Sequence, residues 1–217
     1  MLESLAPYRR FIVTGSLVLF SLAFLGFFRE SESVSPVFQS LIVSIAFFLV
    51  IPLLYSKIVL KESLKNLGWQ KGNMALGVLS GIVCVAIGLV AVFFLAKYFP
   101  FRENYLFPSL VETDFRWFVF YEIVLVGFTV LLYEAFFRGL VQYLWLSNTG
   151  IFAILVQSAL FFALLYFSDD LIWQKAPLLI FAPLSGIIVY YSHSLWYSLA
   201  ASWIFFLLTD IFLLMLR

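Results

Sequence analysis

The run Leu132-Tyr133-Glu134-Ala135-Phe136-Phe137-Arg138-Gly139-Leu140-Val141-Gln142 places a carboxylate and a guanidinium inside an apolar stretch long enough to cross a bilayer. A charge near the middle of a spanning helix costs a few kcal/mol or more, so such groups face a protein interior or a wet cavity. Glu134 and Arg138 are four residues apart, on one face of a helix and within pairing reach. Two readings stay open from this stretch: a structural ion pair that clips helices together, and the wall of a catalytic or binding pocket.

The rest of the chain fits a bilayer. Of its 217 residues, 64% are hydrophobic and only 12% charged, and the mean hydropathy is +1.07, a balance foreign to soluble domains. A net charge of +1 with scattered basic residues excludes a nucleic-acid partner. The single cysteine, Cys84, closes no internal disulfide and supplies no metal cluster. One histidine, His193, with scattered carboxylates makes no zinc site. Neither metal nor cofactor is expected.

Outward from the opening stretch, the sequence reads as about seven transmembrane helices in a single domain spanning residues 1–217. The apolar runs are Phe11 to Phe28, Val37 to Tyr55, Met74 to Phe99, Trp117 through Arg138, Ile151 to Phe167, Pro177 to Tyr191 and Leu195 to Leu216. Arg29-Glu30-Ser31-Glu32-Ser33 and Asp169-Asp170 mark water. Lys57 to Trp69 reads as an interfacial amphipathic segment, and Pro100 to Arg116 as a solvated loop. Gly77, Gly81 and Gly88 form a small-residue stripe for close helix packing. The fourth run is long enough to tilt or break near Gly127 or Gly139, and the sixth is interrupted by Pro183 and Gly186. Glu122 and Glu134, twelve residues apart, point about 120° from each other at the helical period, which disfavours a catalytic pair. Lys57, Lys61, Lys65 and Lys71, opposed by few acids, favour an N-terminus on the cytoplasmic side; the expected setting is a bacterial plasma membrane.

Three blocks, Tyr133-Glu134-Ala135-Phe136-Phe137-Arg138-Gly139, Phe162-Ala163-Leu164-Leu165-Tyr166 and Ser194 to Phe206, closely resemble the motif blocks of the CPBP (Abi) family, which includes the CAAX prenyl endopeptidases. That family's blocks read Glu-Glu-x-x-x-Arg, Phe-x-x-x-His and His-x-x-x-Asn or Asp. The resemblance covers a core of about residues 117–216 and implies the family's helical fold. It also implies an intramembrane endopeptidase in which a glutamate and two histidines activate water and an asparagine helps form an oxyanion site. Here the four positions carry Tyr133, Tyr166, Ser202 and Phe206, while Glu134 and Arg138 remain. Tyrosine ionises near 10, too high for a general base at neutral pH. Phenylalanine has no donor, and losing one oxyanion donor costs about 2.7 to 4 kcal/mol. The expectation is therefore a catalytically degenerate pocket of Tyr133, Glu134, Arg138, Tyr166, Ser202 and Phe206 in a pseudoprotease. By analogy with the scaffold subunit of gamma-secretase, it would hold another membrane protein, a membrane lipid or a lipidated peptide. The alternative is an active endopeptidase cleaving prenylated or leader-bearing peptides, with Asp210 as a displaced third-block residue.

Overall fold

A computed structural model describes residues 6–29, 36–168 and 172–216; the backbone of Arg9 and Arg10 lies within the first helix, whereas the expected polar positions Glu30 to Ser33 and Asp169-Asp170 lie outside the described residues. The described chain is all helical. Five helices are long and apolar enough to cross a membrane, and two shorter apolar helices, Phe11–Gly26 and Phe152–Phe167, accompany them. These are the helices of an integral membrane protein. Of the seven expected runs, five thus lie in helices of full spanning length, and the first and fifth lie in the two shorter apolar stretches.

Helix α1 (Ala6–Gly26) meets α2 (residues 36–60), which starts at Pro36, where a missing N–H costs nothing. Wide turns at Ala46–Val50 and Tyr55–Leu60 flank Pro52 of α2. Proline removes a donor and crowds the preceding turn, so the hydrogen-bond ladder shifts around it. The hydroxyls of Thr14 and Tyr55 lie 2.6 Å apart and tie α1 to α2. The expected amphipathic segment divides: Lys57 to Leu60 completes α2, Lys61 turns left-handed, and Leu64–Leu67 forms one tight turn.

Helix α3 (Met74–Tyr98) is capped by Asn73, whose side chain accepts from the Leu76 amide at 3.1 Å. Its glycine stripe packs as expected. Gly77, Gly81 and Gly88 are buried, against Tyr197, Ala201 and Phe205 of the last helix. The following connection corrects the sequence reading. Phe101, Tyr105, Phe107 and Val111 are buried and belong to the hydrophobic core beside α3, so this is a folded-in strap and not a solvated loop.

Asp114 caps α4 (Phe115–Gln142) by accepting from the Arg116 amide at 2.8 Å. No break occurs at Gly127 or Gly139. The helix runs on through Tyr143–Thr149 and absorbs its length in wide turns at Tyr121–Val126 and Glu134–Gln142. After Gly150, whose φ of +56° reverses the chain, come α5 (Phe152–Phe167), α6 (Ala176–Ser192) and α7 (Leu195–Met215). α6 continues through Pro183 without interruption and lies among α3, α5 and α7.

Two buried clusters make the core. One joins α1, α2, α4 and α5 around Phe48, Phe136, Phe137 and Phe161. The other joins α3, α6, α7 and the strap around Phe101, Phe181 and Phe205. At one end, the Asn73 amide donates to the Ser192 carbonyl at 2.7 Å and the Leu195 amide to the Gly68 carbonyl at 2.9 Å. These bonds lock the loop before α3 to the α6–α7 turn. Gly72 is obligatory there: its φ is +54°, and a Cβ would collide with the Ser192 carbonyl.

Candidate functional site

Glu134 opens the second wide turn of α4 and is 3% exposed. Two serines of α7, four residues apart, reach it from one helical face: Ser198 Oγ donates to Oε2 at 2.5 Å and Ser202 Oγ to Oε1 at 2.7 Å. Arg138 Nε stands 3.7 Å from Oε1, a charge contact without a hydrogen bond. The guanidinium is engaged elsewhere. Its Nη2 donates to the Ala182 carbonyl of α6 at 3.0 Å, and it sits 6.0 Å from the Phe161 ring centre. The Ala182 carbonyl also accepts from Gln157 at 2.9 Å and from Ser185 at 3.2 Å, while Gln142 donates to the Gly186 carbonyl at 2.8 Å. Polar side chains of α4, α5 and α6 thereby add hydrogen bonds to the backbone carbonyls of α6 at Ala182 and Gly186. Glu134 and Arg138 are therefore the hub of a polar network joining α4, α6 and α7.

Five of the six residues singled out from sequence converge here. Tyr133, Glu134, Arg138, Ser202 and Phe206 line a cavity of only about 10 Å³, about the space of one water. The Tyr133 ring packs edge-on to Phe48 at 5.3 Å and Phe161 at 5.2 Å. Tyr166 is the exception and corrects the expectation: it is 60% exposed and stacks on Phe162 at the outer surface. The cause is helical phase, because Phe161, Leu164 and Leu165 form the inward face of α5 and leave Tyr166 outside. His193 is also remote; it is the left-handed residue that ends α6, and its carbonyl accepts from Gln70 at 3.1 Å. The Glu134 site thus offers an acid already bound by two hydroxyls and a neighbouring cation, with no imidazole beside it.

A second acid site was missed. Glu122 on the first wide turn of α4 is 2% exposed, and its carboxyl faces that of Asp210 on α7, which is 1% exposed. Tyr105 of the strap donates its hydroxyl to Asp210 Oδ1 at 2.6 Å. Burial, and next the adjacent acid, push the Tyr105 phenol well above its usual range, so it remains a donor at any physiological pH. Trp203 donates to the Glu122 backbone carbonyl at 3.0 Å. A cavity of about 290 Å³ opens on this site, with Asp210, Tyr105, Tyr121, Thr129, Gln174 and Lys175 on its walls. Phe206 lines both this cavity and the small one at Glu134, and so forms part of the partition between them. The sequence signal was the presence of acids in two apolar runs; nothing local pairs residues 88 positions apart.

A third feature lies on the outer surface. A groove of about 560 Å³ between α4 and α7 is walled by Phe128, Leu131, Trp196 and Trp203, with Gly127 and Ala200 among its smaller lining residues. Among the described residues, no group of three or more His, Cys, Asp or Glu side chains is placed to hold a metal ion.

Fold and sites define an all-helical integral membrane protein with two separate buried acid centres. No family model, no curated protein and no solved structure matches this chain.

Proposed function

We propose that the protein is a non-catalytic binding subunit of the membrane, a pseudoprotease of CPBP type that holds another membrane protein or a lipidated peptide against its α4–α7 groove. The observation that carries this reading is the occupied state of Glu134. Its oxygens accept from Ser198 and Ser202, and the cavity beside it has no room for both a nucleophilic water and a peptide. Hydrolysis would require the carboxylate to be free to take a proton from water. The open apolar groove supplies the surface a lipid tail or transmembrane helix would use, since helices in lipid associate by close packing over small residues. The motif resemblance supports the same reading, together with a seven-pass topology and a cytoplasmic N-terminus in a bacterial plasma membrane.

The test has two arms. Photo-crosslinking from position 123, on the groove wall, in the native membrane should yield one defined adduct, and purification in mild detergent should retain it. A chain that runs alone and gives no adduct contradicts the proposal. The alternative, an endopeptidase for prenylated or leader-bearing peptides, requires cleavage by the purified protein that Glu134→Gln abolishes. Intact peptides across such a panel are expected.

A further inference from the structure

We propose that Glu122 and Asp210 form a binding site for a small inorganic cation, loaded through the cavity beside Tyr105. This inference stands apart from the binding function above and uses neither Glu134 nor the groove.

Two carboxyl groups from different helices face each other inside spanning segments, both almost wholly buried. Facing carboxylates are both acceptors. Tyr105 supplies a donor to Asp210, whereas neither Glu122 oxygen has a hydrogen-bond partner among the described residues. The two carboxyl groups lie within hydrogen-bonding reach of each other, and two facing acceptors at low dielectric need either a shared proton or a cation between them. Carboxylate, hydroxyl and water oxygens suit a hard cation such as sodium, potassium or calcium.

A route of entry adjoins the pair. The cavity of about 290 Å³ brings Asp210 to an opening walled by Tyr121, Thr129, Gln174 and Lys175. Thr129 and Gln174 add oxygens to that wall, and the volume admits waters. Lys175 is the charged neighbour from the segment before α6, and Tyr105 and Tyr121 are the titratable neighbours from the strap and α4. The wide turn at Tyr121–Val126 carries Glu122, and such turns recur at functional sites.

The experiment is thermal unfolding of the purified full chain in detergent, at one pH and constant ionic strength, in the chlorides of sodium, potassium, calcium and choline. With one inorganic cation at a hundredfold excess over its dissociation constant, a saturable rise of roughly 5 to 10 °C over choline is expected. Asp210→Asn should remove the rise. Identical midpoints in all four salts would mean that the pair holds a shared proton only, and would overturn the proposal. Should Asp210→Asn fail to fold, equilibrium dialysis of the unmodified protein with the labelled cation decides the matter: saturation near one ion per chain supports the site, and no retained ion refutes it.

Discussion

At the scale of single residues, the two acids of α4 live in opposite circumstances. Glu134 is surrounded by donors, and Glu122 faces another acceptor. Removing the charge of Glu134 leaves Arg138 buried without its counter-charge, a loss of about 3 to 5 kcal/mol for a broken buried pair. Glu134→Gln should therefore lower unfolding stability in detergent by that order. Glu134→Gln combined with Arg138→Met should recover most of it, because both charges leave together. Ser198→Ala and Ser202→Ala each delete a hydrogen bond to a carboxylate, worth about 1.5 to 3 kcal/mol, and denaturant titration should register both. A serine at 202 was visible in the sequence as the substitute for a histidine. Its partner Ser198 was passed over, since one serine in an apolar helix carries no signal until α4 is laid beside it.

At the scale of elements, glycine spacing decides how closely α3 can approach α7. A Cβ at Gly88 would stand 2.8 Å from the Phe205 ring, which is fully buried and stacked on Phe181 at 4.4 Å. That ring has nowhere to go, so Gly88→Ala should cost about 1 to 3 kcal/mol as overpacking. Gly15 of α1 has nothing within 4 Å of its ideal Cβ, and Gly15→Ala should be neutral or stabilise by up to about 1 kcal/mol through helix propensity. Equilibrium unfolding of the two variants in one detergent tests the contrast. The glycine stripe was legible because small residues at helical spacing have one main use in lipid. The strap of residues 100–116 was misread because its charges advertise water, while Phe101, Tyr105, Phe107 and Val111 turn inward. The wide turns of α4 left no mark in composition; they reset the helical phase that periodicity arguments take as constant.

At the scale of the whole molecule, Glu122 and Glu134 are twelve residues apart, about 18 Å along the helix axis. Asp210 and Tyr105 mark one end of the bundle, and the α6–α7 turn marks the other. Phe206 stands between the two polar centres, on the walls of both cavities. Phe206→Ala should merge them and cost about 3 to 5 kcal/mol; a thiol reagent should then modify a cysteine placed at position 202 that is protected when Phe206 is present. The membrane class and the Glu134 cluster were readable in advance, because long apolar runs and a charged pair inside one of them constrain the fold strongly. The juxtaposition of Glu122 with Asp210 was not, as it depends on the tilt of α4 against α7. The measurement that bears most directly on the account compares the unmodified protein with the Glu134→Gln/Arg138→Met variant, assaying cleavage of prenylated and leader-bearing peptides alongside photo-crosslinked partners in the native membrane. The account expects no cleavage by either and the same adduct from both; cleavage by the unmodified protein that the variant has lost would contradict it.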